Sequence, residues 1–197
     1  MENTIKFIDL FAGMGGTRLG LEQAAQKLGY KTECVLTSEI KPYAIQAYNG
    51  FYGEEEIYGD ITLVNTNQDI PDFDYLLAGF PCQPFSSAGN RNGFADTRGT
   101  LFFEIERILK YKKPYALLLE NVEGLVLHDR ESTKDKIGRT LSTIIKKLED
   151  MGYNVEWRLL DSKNFGVAQS RLRVYIVGTL KGKVNLDNFL HTRKKLV

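Results

Sequence analysis

The sequence predicts an α/β protein built on one mostly parallel sheet of seven strands whose last strand runs antiparallel. Short β-rich apolar runs alternate with helical patterns along the chain, as expected when helices cover a largely parallel sheet. A glycine-rich turn stands where the first strand gives way to the first helix. The last two β-runs are joined by too few residues for the crossover that parallel pairing needs, so they should pair antiparallel.

Ile5–Leu10 reads as the first strand and ends at Gly13-Met14-Gly15-Gly16. Leu19, Leu21, Ala24, Ala25 and Leu28 then suggest one buried helix face, with Gly29 as the C-terminal cap. Glu33–Thr37 is the second strand. Pro42 opens a helix over 43–49, because its missing N–H has no helical partner at that position, and Gly50 stands as the stop. Tyr58–Ile61 reads as a short third strand and Tyr75–Ala78, bounded by Gly79 and Pro81, as the fourth. Arg98–Tyr111 is predicted helical, with Leu101, Phe102, Ile105, Ile108 and Leu109 on one face. Tyr115–Leu119 has the uninterrupted apolar character of a strand buried on both sides. A helix over Ile137–Met151, closed by Gly152, precedes the final strands Asn154–Leu160 and Arg173–Gly178. Two loops, 83–97 rich in Ser, Gly and Asn and 128–136 rich in charge, have the length of functional lids or surface segments.

Bulk properties narrow the function classes. The chain of 197 residues can fill one domain, and its 43% hydrophobic and 26% charged residues are those of a globular protein rather than a disordered one. No apolar run approaches the roughly 20 residues needed to span a bilayer, and the start lacks the pattern of a signal peptide. Two cysteines, Cys34 and Cys82, cannot staple a fold of this size, and two histidines do not complete a zinc site. The expectation is a cytoplasmic protein with no metal and no membrane association. The net charge of +1 does not itself point to nucleic acid and argues against strong autonomous DNA binding.

Glycines after a first strand let the backbone approach a ligand closely, and the following helix N-terminus favours an anion. Glu39 lies just after the second strand, where an acid commonly accepts from ribose hydroxyls, and Asp60 after the third could take the exocyclic amine of a purine. A tight turn with solvated acids would leave the same pattern. The spacing G-x-G-G departs from the dinucleotide fingerprint G-x-G-x-x-G, which disfavours a nicotinamide enzyme and leaves a smaller nucleoside cofactor.

Cys82 lies just past the fourth strand and Glu120 just past the fifth, so a parallel sheet delivers both to its carboxyl-end rim. A nucleophilic thiol must be a thiolate. The surrounding Gly79, Pro81, Pro84, Ser86 and Ser87 place Cys82 in a loop, whereas Cys34, inside an apolar strand, reads as a small buried hydrophobe. Glu120 is either a charge at the start of a following turn or a deep, perturbed carboxyl.

Together these residues resemble the DNA (cytosine-5) methyltransferase family over about Ile5 to Gly178. The ordered blocks are Asp9-Leu10-Phe11-Ala12-Gly13-Met14-Gly15-Gly16, Ser38-Glu39, Gly59-Asp60-Ile61, Gly79-Phe80-Pro81-Cys82-Gln83-Pro84-Phe85-Ser86, Arg98-Gly99-Thr100-Leu101-Phe102, Glu120-Asn121-Val122 and Gln169-Ser170-Arg171-Leu172-Arg173. The resemblance implies the Rossmann-like fold of S-adenosylmethionine-dependent methyltransferases, with S-adenosylhomocysteine as the product of the cofactor. It implies that Phe11, Gly13, Met14, Gly15 and Gly16 line the cofactor site, that Glu39 holds the ribose, and that Asp60 and Ile61 meet the adenine. Pro81 and Leu101 would contact the cofactor nearby, and Ile40 stands where many relatives carry an aromatic residue that stacks on adenine. Cys82 would attack carbon 6 of a cytosine flipped out of duplex DNA, and Glu120 would hold or protonate ring nitrogen 3. Arg173, with Arg171, would bind the base oxygen or support the loop, or Arg173 would pair with Glu120. Gln83, Ser86 and Ser87 belong to the loop that would close over the base.

By that resemblance residues 1–180 form the catalytic domain, and 181–197 are a tail or the start of a target-recognition region. Family members continue into such a region and return with a helix beside the cofactor. The expectation is a truncated chain, one subunit of a split enzyme with a second chain carrying the target-recognition domain, or a degraded gene product, and in each case weak or no activity alone. An RNA cytosine-5 methyltransferase and a non-catalytic cofactor-binding or assembly module are the competing readings.

Overall fold

A computed structural model describes residues 4–54, 56–81, 100–132 and 134–187. Its seven strands are β1 (Thr4–Leu10), β2 (Lys31–Ser38), β3 (Ile57–Tyr58), β4 (Tyr75–Ala78), β5 (Ala116–Val122), β6 (Asn154–Asp161) and β7 (Leu172–Thr179). They form one sheet in the order β3-β2-β1-β4-β5-β7-β6. The pairs from β3 to β5 are parallel, and β7 enters antiparallel between β5 and β6. The order turns back between β1 and β4, and at such a switch point the carboxyl ends of the strands open a crevice.

The four helices are α1 (Gly16–Lys27), α2 (Pro42–Tyr52), α3 (Thr100–Lys112) and α4 (Arg139–Asp150). On α3, Phe102, Ile105, Ile108 and Leu109 are buried, and on α4 Leu141, Ile144 and Leu148, both sets spaced for one helical face. They pack with Ile8, Leu10, Leu76, Leu117 and Leu119 of the central strands and Val174 and Ile176 of β7 in one core cluster.

Several boundaries differ from the sequence expectation for identifiable reasons. Gly50 does not stop α2: the helix continues to Tyr52, and Gly53, at φ 86°, ends it. Tyr52 is worth the extra turn, because its hydroxyl donates to the Gly15 carbonyl at 2.8 Å and its ring lies 4.7 Å from that of Tyr48. The third strand has only Ile57 and Tyr58. Asp60 leaves the ladder to cap a 3-10 turn, Ile61–Leu63, by accepting from the Thr62 N–H at 2.9 Å. On α1 the buried residues are Arg18 and Ala25, while Leu19 and Leu28 are exposed, so the helix faces the sheet through a neighbouring stripe.

The fifth strand does not end at Leu119. It runs on to Val122, with Glu120, Asn121 and Val122 opposite Tyr175, Val174 and Arg173 of β7. Pairing with β4 covers only Ala116–Leu119. The antiparallel neighbour, which local sequence could not reveal, holds the last three residues in the ladder.

Ile105 is completely buried between α3 and the sheet. Ile105→Ala should lower unfolding stability by about 2–5 kcal/mol, read as a lower urea midpoint at unchanged slope.

Candidate active site

The turn after β1 places Phe11, Gly13 and Gly15 in left-handed conformations, at φ 55°, 57° and 78°. Phe11 is the costly one, since side-chain-bearing residues rarely take that region; its packing against the core cluster holds it there. At Gly15 an added Cβ would stand 2.4 Å from a Tyr52 ring carbon, so only glycine fits. Gly13 has open space where a side chain would project. The Gly13 N–H donates to Glu39 Oε2 at 2.9 Å, while Glu39 Oε1 accepts from the Ile40 and Lys41 N–H groups at 2.8 and 2.9 Å.

Glu39 is therefore more than a solvated acid. Its buried carboxylate joins the glycine turn to the start of α2. Three of about four lone-pair positions are taken, leaving one on Oε2 for a hydroxyl donor. The Glu39 N–H donates to the Tyr58 carbonyl at 3.0 Å and Ser38 Oγ to the Gly59 carbonyl at 2.8 Å, which brings Asp60 to the same edge. Asp60 is exposed; Oδ1 accepts from Thr62 twice, and Oδ2 has no donor among the described residues. Met14 and Ile40 are exposed apolar side chains. Ile61, in contrast, is buried in the core and sets the turn under Asp60 rather than presenting a side chain. Open glycines, a carboxylate with a spare acceptor position and a second exposed acid beside apolar surface suit a nucleoside with ribose hydroxyls and an exocyclic amine.

A second group converges across the switch point. Glu120, near the end of β5, is paired with Arg173 of β7, Oε1 to Nε, at 2.8 Å, and both side chains are largely shielded from solvent. A methyl placed on Gly79 would lie 3.5 Å from both Glu120 Oε2 and the Phe11 carbonyl oxygen, so the ends of β1, β4 and β5 meet there. Asn121 Nδ2 donates to the Phe80 carbonyl at 2.9 Å and thereby fixes the chain one residue before Pro81. The Phe80 ring is itself buried against Phe102. Burial pushes the Glu120 carboxyl above its ordinary range even though Arg173 and Arg171 pull it down. A carboxyl with that balance can hold a proton or give it up as its surroundings change.

Arg171 is exposed, and its backbone N–H donates to Asp161 Oδ1 at 2.9 Å. Asp161, buried at the end of β6, also accepts from Ser170 Oγ at 2.9 Å and meets Lys163 Nζ at 3.3 Å. Burial works to raise its carboxyl, but these donors hold it below the usual range. It braces the loop that carries Arg171 and leads into β7 and Arg173. Pro81 is exposed and Leu101 is half-buried against the core. Cys82, Gln83, Ser86 and Ser87 lie outside the described residues.

Sequence reasoning assigned no role to Asn121, Asp161 or Asp9. Asn121 and Asp9 stand inside recognised blocks but act through contacts that spacing does not show. Asp9, fully buried beneath the glycine turn, has Oδ2 without a hydrogen-bond partner among the described residues and Oδ1 3.4 Å from Thr17 Oγ1. Burial raises its carboxyl to about 7, against the pull of Thr17 and the nearby Arg18 and with the repulsion of Glu22 and Glu39. Arg18 bonds Glu22 Oε1 and the Tyr48 hydroxyl, each at 2.7 Å, and stacks 3.9 Å from the Tyr52 ring centroid.

The family profile described as C-5 cytosine-specific DNA methylase matches residues 5–196. The chain is 59% identical over 183 residues to the type II methyltransferase M.NgoBV of Neisseria gonorrhoeae, covering 93% of this chain and 43% of that protein. It is 55% identical over 182 residues to the type II methyltransferase M.BanI of Aneurinibacillus aneurinilyticus, covering 92% and 40%. It thus spans less than half the length of these curated relatives. Among solved structures, the Dnmt2 methyltransferase of S. pombe superposes with a TM-score of 0.72 at 26% identity, over 93% of this chain and 54% of that one. The Entamoeba histolytica methyltransferase EhMeth, at 21% identity over 98% and 58%, shares the fold with the same TM-score, 0.72.

Two titrations follow from the site. Asp9 binds its proton more tightly folded than unfolded, because its folded value is raised from 3.8 to about 7. Unfolding stability should fall on the order of a few kcal/mol as pH rises between those values, then level off above them. Asp9→Asn should flatten that slope in denaturant titrations at a series of pH values. For Glu120, Arg173→Met removes a cation that favours the carboxylate, so its carboxyl should titrate higher still, read by carbon-13 resonance.

Proposed function

This chain belongs to the C-5 cytosine-specific DNA methylase family, and we propose that it supplies the cofactor-binding and catalytic residues of an enzyme that methylates carbon 5 of cytosine in duplex DNA. Residues 1–180 would be the catalytic domain and S-adenosylmethionine the cofactor. The observation that carries the reading is the Glu120–Arg173 pair at 2.8 Å beside Gly79, with Asn121 holding Phe80 next to Pro81-Cys82.

The cofactor, when bound, supplies an electrophilic methyl group. The chain's own residues do the rest. Glu39 accepts from a ribose hydroxyl on its remaining lone pair, and Asp60 accepts from the adenine amine. Gly13, Gly15 and Gly16 let the backbone approach the amino-acid portion. The Cys82 thiolate adds to carbon 6 of a flipped cytosine, and its electron pair makes carbon 5 nucleophilic. Glu120 holds the proton at ring nitrogen 3, so negative charge does not build up on the ring during that addition. Arg173 steadies Glu120, and Arg171, whose charge is felt at the Glu120 carboxyl, would share the base oxygen. Once carbon 5 carries the methyl group, its proton passes to water, the electron pair expels the carbon 6 sulfur as thiolate, and the nitrogen 3 proton returns to Glu120, which restores the aromatic ring.

Flipping costs a few kcal/mol of unstacking and unpairing, which contacts to the duplex must offset. With a net charge of +1 over the whole chain, those contacts are proposed to come jointly with a target-recognition region, in the same polypeptide or on a partner chain.

Incubation with S-adenosylmethionine and duplex DNA containing 5-fluorocytosine should trap a covalent adduct at Cys82, because the fluorine cannot leave as a proton. The reaction is run with the chain alone and with a partner carrying a target-recognition domain. Cys82→Ala should form none. No wild-type adduct under either condition would defeat the proposal, and an adduct only on fluorinated transfer RNA would reassign the substrate. Glu120→Gln should slow methyl transfer about 10²–10⁴-fold while S-adenosylhomocysteine still binds in calorimetry.

A further inference from the structure

Asp60 stands on a stretch of chain with little backbone pairing, which Ile61, Val64, Ile70 and Phe73 tie to the core by their side chains. β3 contributes two residues to the sheet, and between it and β4 the only regular element is the three-residue turn Ile61–Leu63. A side chain that must meet a ligand within a few tenths of an ångström needs a firmer support than that. The support is on α3. Arg107 Nη2 donates to the Ile61 carbonyl at 3.1 Å, and Nη1 donates to Thr66 Oγ1. Both acceptors belong to buried residues.

The guanidinium is held in turn by Glu104 one turn earlier on α3, with Nε 2.8 Å and Nη2 2.6 Å from Oε2. Two further residues of α3 reach the same segment: the Tyr111 hydroxyl donates to Asn67 Oδ1, and Lys112 Nζ lies 2.9 Å from Asp72 Oδ1. Residues 107 and 111 are one helical turn apart, so they share a flank. The helix that carries them is fixed by four buried apolar residues.

We infer that Arg107 is a positioning residue for the adenine side of the cofactor site, acting through the Ile61 carbonyl to place Asp60. An ordinary surface ion pair contributes little, but Arg107 differs because its fork serves the backbone of the turn itself, adding a second and charged donor to the Ile61 carbonyl, which also accepts from the Val64 N–H at 3.3 Å. The same helix carries Leu101 at its start, so α3 would set both cofactor contacts from one rigid body. The inference rests on the cofactor reading above.

The test is calorimetry of S-adenosylhomocysteine and of adenosine with wild type, Arg107→Met, Asp60→Asn and the double variant, beside hydrogen exchange of the amides of residues 61–64. Arg107→Met should weaken both ligands by about tenfold, and those amides should exchange faster at unchanged protection of β4 and β5. In the double variant the Arg107 effect should largely vanish, because Asp60 no longer profits from being placed. Lys110→Gln, which removes an exposed cation of the same helix, should bind like wild type. Equal affinity in Arg107→Met, or a full Arg107 effect without the Asp60 carboxylate, would overturn the inference and leave the cofactor reading standing. No binding by wild type would remove the cofactor reading, and this inference with it.

Discussion

The antiparallel ladder between β5 and β7 is the constraint on which the catalytic rim depends. β4 stops pairing with β5 at Leu119, and from Glu120 to Val122 β7 alone provides ladder partners among the described residues. The same ladder sets Arg173 opposite Val122, two residues from Glu120 on the neighbouring strand, where its Nε reaches the carboxylate at 2.8 Å. A carboxyl buried without a cation would stay protonated, and one fully solvated would stay ionised. Partial burial raises the Glu120 carboxyl above its ordinary range against the pull of Arg173 and Arg171. Asn121, next in the ladder, spends its side-chain amide on the Phe80 carbonyl, so the β5–β7 pairing also sets the path of the chain toward Cys82.

The cofactor side is built on a different principle. There a single buried carboxylate, Glu39, gathers N–H groups from the glycine turn and from the entry to α2. Such bonds to an ionised acceptor are stronger than neutral ones, and they tie the left-handed turn at Gly13 to the start of α2. The support for this turn is aromatic and cationic: Tyr52 closes on Gly15, and Arg18 lies between the tyrosines of α2 and Glu22. Asp9, buried below them with one oxygen unpaired among the described residues, is a local cost that stabilising packing elsewhere must outweigh.

Much of the fold was legible because period and punctuation agree. Tyr75–Ala78 forms the strand its flanking Gly79 and Pro81 predict, and Gly29 and Gly152 take the positive φ that their places after α1 and α4 require. The misplaced boundaries share a cause. Gly50 yields to Tyr52, whose value lies in a contact with Gly15 across 37 residues. Glu120 falls inside β5 because of a partner strand some fifty residues later. Asp60 leaves the sheet because a short polar side chain competes with ladder hydrogen bonds. The exposure of Leu19 on α1 follows from which side of the helix meets the sheet, and periodicity alone marks a face without locating its neighbour.

By itself the sequence determined the fold class, the order of strands and helices, the family, and the chemical kinds gathered at one sheet edge. Those properties are written in local patterns: hydrophobic period, turn residues and short ordered blocks. Tertiary structure decided the pairings: that Arg173 meets Glu120, one of the roles the sequence left open for it, that Asn121 holds Phe80, that Glu39 takes the Gly13 N–H, and that Arg107 grips the turn beneath Asp60. The reason is physical. A residue's type states what it can donate or accept, but its partner depends on distances set by sheet order and helix packing, which no local window contains.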